Sequence, residues 1–115
     1  MKANFEDLIA TLPRASTAQW PAGVPFVTAL SHGTMSVEAF AINELDRQSP
    51  HEQDELYFVQ RGSGTLTIEG VAHACKAGDA LFVGAGQVHR FSDCSKDFAT
   101  WVVFWGPKGG EANTR

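Results

Sequence analysis

No stretch of this sequence is apolar for long enough to cross a bilayer. The longest apolar run lies near Trp101–Trp105, far short of the ~20 residues that a spanning helix requires. The opening residues, Met1-Lys2-Ala3-Asn4-Phe5-Glu6-Asp7, carry early acids and no apolar signal core, so a cytoplasmic location is expected. Cysteine is scarce. Cys75 and Cys94 are not spaced as a Cys-x-x-Cys pair, and both are expected to be reduced and half-buried, with a single bond between them left open. Basic residues are also few: 9 Lys and Arg stand against 13 Asp and Glu, for a formal net charge of −4. With no basic stripe, neither nucleic acid nor an anionic membrane surface is an expected partner. Internal repeats and low-complexity segments are absent.

What is present describes one domain. Its 115 residues, 43% hydrophobic and 19% charged, are enough to bury a core and are not the composition of a disordered chain. Eleven glycines punctuate short apolar runs, which points to an all-β fold. Near the start, Asn4 followed by Phe5–Leu12 reads as a capped helix that Pro13 stops, with Glu6 and Asp7 suited to its positive end. Trp20–Pro25 is too rich in Pro and Gly for regular structure and reads as a connector. Strands are expected over Phe26–Ser31, Thr34–Asn43, Leu56–Val59, Thr65–Glu69, Val71–Cys75, Ala80–Val83, Val88–Ser92 and Phe98–Trp105, with turns at His32-Gly33 and Glu69-Gly70. Turn signals every eight to twelve residues or so fit a sandwich or barrel. The expected organisation is a helix and connector over 1–25, a barrel over 26–106, and a mobile tail over 107–115.

The chemically richest segment is Ser49-Pro50-His51-Glu52-Gln53-Asp54-Glu55. Locally it could open a helix, with Ser49 as N-cap, Pro50 at the first position and Glu52 closing a capping box. The continuous run Leu56-Tyr57-Phe58-Val59, ended by Gly62-Ser63-Gly64, suits a buried strand better. Four residues of straight strand span ~13 Å, whereas donors on one metal ion lie about 3 Å apart, given bonds near 2.1 Å. If His51 and Glu55 share an ion, the chain must therefore fold back between them, with Gln53-Asp54 as the turn and Glu55 opening the next strand.

These residues resemble the two motifs of the cupin superfamily. His51, Glu55 and Gly62 stand at the spacing of the second histidine, the glutamate and the closing glycine of the first motif. Gly78, Gly86 and His89 match the first glycine, the later glycine and the histidine of the second. Four positions depart from the pattern: Asn43 for the opening glycine, Ser49 for the first histidine, Gly84 for a proline and Asp93 for an asparagine. The likeness extends to small bacterial cupins without an assigned reaction. It implies a double-stranded β-helix (jelly-roll) barrel and a divalent transition metal (Fe, Mn, Ni or Zn) held by His51, Glu55 and His89, a ligand set with open positions. Gln53 and Ser49 are weaker candidates for a further ligand.

Period two places Tyr57 and Val59 inward with Glu55, and Phe91 inward with His89. A substrate pocket formed by Tyr57 and Phe91 is expected, with Trp101 as a further candidate whose parity the sequence leaves open. His32 belongs to a hairpin turn and His73 to a strand face. Leu56 and Phe58 fall on the outer face, where a second subunit could cover them, so a homodimer is expected. The implied function is a metal-dependent enzyme acting on a small organic molecule in the barrel, dioxygenase first, then isomerase or lyase. A non-catalytic module binding a metal or small ligand is the alternative. For the isomerase reading the sequence offers no convincing base, only Tyr57 and His32 as candidates.

Overall fold

The computed structural model describes residues 1–42 and 45–112, so the Asn43 end of the expected Thr34–Asn43 strand, and the tail from 113, lie outside it. Among the described residues one helix, α1 (Phe5–Ile9), precedes eight strands: β1 (Phe26–His32), β2 (Met35–Phe40), β3 (Asp54–Arg61), β4 (Ser63–Ile68), β5 (Val71–Lys76), β6 (Ala80–Val83), β7 (His89–Ser92) and β8 (Ala99–Trp105). They form two antiparallel sheets, in the orders β1-β2-β8-β3-β6 and β5-β4-β7. This is the expected all-β barrel with a short helix outside it. No described helix is long and apolar enough to cross a membrane.

Local chemistry accounts for most boundaries. The Asn4 side chain accepts from the Asp7 backbone N–H at 3.0 Å, the expected cap. The helix ends at Ile9 rather than Leu12. There the Thr11 hydroxyl takes the Leu8 carbonyl at 2.7 Å, and the Leu12 N–H bonds to Ile9 in a tighter turn. A hydroxyl that competes for helix carbonyls is a weak helix former. In the β4–β5 hairpin, Glu69 and Gly70 adopt φ of 47° and 80°, the pair of positive values that a two-residue turn needs to follow strand twist.

The barrel interior is filled by the inward faces of both sheets, with Phe40, Tyr57, Leu66, Phe91, Phe98 and Val102 in one buried cluster. Along β8, Thr100, Val102 and Phe104 are buried while Trp101, Val103 and Trp105 are only half-buried, so strand alternation decides the parity left open by the sequence. Trp101 faces outward and packs edge-on against Phe5 of α1 at 4.9 Å. This corrects its candidacy as a pocket residue.

Register also sets out the inner wall. Glu38 of β2 lies opposite Val102 of β8, which lies opposite Tyr57 of β3. One step toward the barrel mouth, Ser36, Phe104 and Glu55 form the next row. Beyond β8 the chain crosses that mouth as a strap. The Gly106 N–H donates to the Thr34 hydroxyl at 3.1 Å, Gly109 to the Glu52 carbonyl at 2.7 Å, and Glu111 to the Asp54 carboxylate at 2.9 Å. On the outer face of β3 and β6, Phe58 and Phe82 are 41% and 56% exposed.

Candidate metal centre

His51 sits in the loop before β3, Glu55 is the second residue of β3, and His89 opens β7. The chain bends at Glu52–Gln53, so β3 begins at Asp54, one residue before the expected start. That bend returns His51 over the strand. Its Nε2 lies 3.8 Å from Glu55 Oε2, and His89 Nε2 lies 3.0 Å from Glu55 Oε1. One donor atom from each residue falls within 4.8 Å of the other two. Glu55 and His89 are buried, at 1% and 2% exposure, while the His51 side chain keeps 32% of its surface.

Burial makes this cluster costly unless something completes it. His51 Nε2, His89 Nε2 and both Glu55 oxygens are shielded from solvent and, among the described residues, meet no hydrogen-bond geometry with a protein group. An unsatisfied buried polar atom costs roughly 1–3 kcal/mol, more when charged, so four converging ones fit a cation better than they fit each other. The donor set of two imidazoles and one carboxylate suits Fe(II), Mn(II), Ni(II) or Zn(II).

The imidazoles are held from behind. His89 Nδ1 is 2.9 Å from the Gln87 carbonyl. A proton on Nδ1 leaves the Nε2 lone pair free to face the cluster, the usual outer support of a metal-binding histidine. The backbone of His51 is held by the Gly86 N–H, which donates to its carbonyl at 2.7 Å. Gly86 adopts φ of 79°, so the glycine of the second motif serves to grip the loop of the first. Gly62 is required for a different reason: a Cβ there would lie 2.9 Å from the Phe98 backbone.

The two histidines respond to burial differently. Burial pushes the His51 imidazole below its ordinary value, outweighing the nearby Glu55 carboxylate, and His89 adds to the depression. Burial acts on His89 in the same direction. There the Glu55 carboxylate and the Gln87 carbonyl outweigh it and hold the ring above its ordinary value.

Beside the cluster is a cavity of about 480 Å³, within the usual range for small-molecule sites. His51, Tyr57, Phe26, Phe40, Val102 and Phe104 give it an apolar wall, and Glu38, Gln48, Ser36 and Lys108 give it polar points. Tyr57 is therefore where the sequence placed it. Phe91 does point inward, but it packs within the core against Phe40, Tyr57 and Phe98 rather than lining this cavity. Gln53 lines the cavity, yet its amide nitrogen donates to the Thr34 and Gly106 carbonyls at 2.9 Å each. It braces the mouth. Ser49 is exposed, as are His32 at the β1 end and His73 on β5.

Three residues of the site went unremarked in the sequence. Asp46 is buried and accepts from the Phe91 N–H at 2.8 Å and from the Gln48 amide at 2.8 Å. Gln48 in turn accepts from the Tyr57 hydroxyl at 3.2 Å. Arg90 donates to the Asp46 and Gln48 carbonyls, so the segment leading to His51 is tied to β7. Glu38 is the third. Burial first, then the Glu55 carboxylate, push its carboxyl from 4.5 up to about 7. Only the alternation Ser36-Glu38-Phe40 in β2 hinted that it faces inward.

The family described as "Cupin domain" matches residues 36–105, a span that holds β3 to β8, nearly all of β2 and the whole His51–Glu55–His89 cluster. The chain belongs to the cupin family. An uncharacterized protein of Streptomyces coelicolor is 36% identical to this cupin over 81 residues, covering 69% of the cupin and 77% of that relative. Among solved structures, an RmlC-like cupin from Shewanella frigidimarina matches with a TM-score of 0.63 at 15% identity, covering 84% of this chain and 86% of that one. KdgF from a Halomonas species matches with a TM-score of 0.63 at 16% identity, covering 72% and 78%. A Cupin 2 conserved barrel domain protein from Salinispora arenicola matches with a TM-score of 0.60 at 16% identity, covering 70% and 74%. At these identities the likeness shows a shared fold.

Proposed function

We propose that this cupin is a metal-dependent enzyme acting on a small organic molecule bound in the barrel. The observation that carries the reading is the convergence of four shielded ligand atoms of His51, Glu55 and His89, whose contacts among the described residues are with one another, beside the cavity. A divalent transition metal held by these residues would supply Lewis acidity, or, if redox-active, a site for O₂ chemistry. The chain's own residues do the rest. Gln87 orients the His89 imidazole and Gly86 holds the His51 backbone, Phe40, Val102 and Phe104 give the cavity an apolar wall, and Gln48 and Tyr57 offer polar groups beside it.

Dioxygenase-like chemistry is the first form of this reading, because two histidines and one carboxylate leave coordination positions open. Isomerase or lyase chemistry is the second, supported by the ionisable Glu38 in the cavity wall. The exposed Phe58 and Phe82, with Phe82 6.2 Å from Trp105, support a homodimer formed through the outer face of β3 and β6.

Elemental analysis of the purified protein, alongside His51→Ala, tests the site. Near-stoichiometric transition metal that is lost in the variant is the expected result. No metal in either protein, and none taken up on reconstitution, would overturn the enzyme reading and leave a metal-free binding module.

A further inference from the structure

Among the charged side chains of the barrel wall, Glu38 is the one that structure alone does not explain. It projects from the middle of β2 into the cavity, between Ser36 and Phe40 on its own strand and opposite Val102 of β8. Among the described residues, nothing hydrogen-bonds to its carboxyl or pairs with it as a cation; burial and the Glu55 charge are its only influences. A carboxyl placed without a partner on an apolar wall costs stability, and a valine or leucine at that position would pack without the cost. Such groups concentrate where a protein handles ligands.

The placement of Glu38 is specific. Glu55 lies in the neighbouring row, two strands away across β8. Two strand spacings, ~10 Å, separate the β2 and β3 backbones, and both side chains reach inward across that gap. A small molecule lying between them would touch the metal-binding cluster on one side and Glu38 on the other. From β3, Glu55 and Tyr57 face Glu38; the loops add His51, Glu52 and Lys108; β8 adds nothing that titrates, and the one titratable residue of β1, His32, is exposed and does not line the cavity.

We propose that Glu38 is the proton-transferring residue of this site, acting on a small carbonyl compound that carries a C–H bond next to the carbonyl. The inference rests on the metal-dependent enzyme reading and decides within it for acid–base chemistry. The Glu38 carboxylate takes the proton from that carbon. The C–H electron pair becomes the second bond between the two carbons, and the displaced carbonyl pair moves to oxygen. Return of the proton from Glu38 to the carbon reverses each change, so no oxidant, reductant or co-reactant is consumed. A group that both takes and returns a proton near neutrality is best placed when it is about half protonated at that pH, and burial pushes the Glu38 carboxyl up to about 7.

The test uses the full-length protein loaded with zinc, incubated in D₂O with hydroxyacetone, dihydroxyacetone or pyruvate and followed by proton NMR. Loss of the C–H signal from at least one compound, faster than with free zinc, is expected. Glu38→Gln should slow that loss about a hundredfold or more, with bound zinc kept and the melting temperature not lowered, while Glu38→Asp recovers part of it. Independently of turnover, a ¹³C-glutamate label should show the resonance absent from Glu38→Gln titrating well above 4.5, the ordinary value for this group.

Exchange unchanged in Glu38→Gln, an ordinary titration midpoint, or no exchange of any of the three compounds by zinc-loaded protein would each overturn the proposal. Loss of zinc in Glu38→Gln would also overturn it, by making Glu38 a ligand. Failure of the unaltered protein to take up zinc is read before any exchange is measured, and it removes the metal-site reading itself.

Discussion

Replacing Glu38 by glutamine should make the metal-free protein more stable, and only at neutral to alkaline pH. The folded state holds the Glu38 carboxyl at about 7 against 4.5 for the free group. A folded value raised above the unfolded one means that stability is fully present below 4.5 and is lost as pH rises through 7. The difference of about 2.5 units, at 1.36 kcal/mol each, sets a ceiling of ~3.4 kcal/mol. Glu38 is only partly buried and lines an open cavity, so solvent screening reduces this, and ~1–2 kcal/mol is the expected size. Glutamine keeps the shape and removes the charge. Denaturant unfolding of both proteins with chelator present, at pH 5 and pH 8, measures the effect. His51 and His89 are common to the two proteins, so their own titrations largely cancel in the comparison. The variant should exceed the wild type by ~1–2 kcal/mol more at pH 8 than at pH 5, or by ~4–8 °C in melting temperature. An offset of equal size at both pH values would refute the argument that burial strains the charged form.

Three further outcomes are expected. His89 must be neutral to offer Nε2, and its ring is held above the ordinary histidine value. Zinc affinity by titration should therefore be weaker at pH 6 than at pH 8, and equal affinities would count against His89 as a ligand. Asp46→Ala removes the acceptor of the Phe91 N–H and of the Gln48 backbone and amide groups. It should cost ~2–4 kcal/mol in thermal or chemical unfolding, and an effect under ~1 kcal/mol would show that the loop before His51 does not depend on it. Phe82→Lys places a charge on the exposed face of β6 and should give monomer by sedimentation with unchanged metal content. A dimer that persists would move the interface elsewhere.

Much of this protein could be read locally. The cap at Asn4, the turn at Glu69-Gly70 and the alternation of β3 each depend on residues a few positions apart, and each stands in the structure. The cluster of His51, Glu55 and His89 was legible because the spacing of two motifs is itself a record of the fold. His51 and Glu55 were also constrained by reach, since donors four residues apart share an ion only if the chain bends between them. Asp46, Gln48 and Glu38 were not legible. Their partners are Phe91, Tyr57 and the cavity, which a single pass along the chain does not bring near them.

The same division holds for orientation. Strand periodicity alone determines which residues share a face: Glu55 with Tyr57, Trp101 with Val103, Glu38 with Phe40. It does not determine which of the two faces is inside. Sheet pairing decided that, by setting β8 between β2 and β3 with Val102 inward. It turned Trp101 out against α1 and turned Glu38 in toward the cavity beside His51, Glu55 and His89. The physical reason is that alternation is a property of one strand's backbone, whereas inside and outside exist only after distant strands have paired and the barrel has closed.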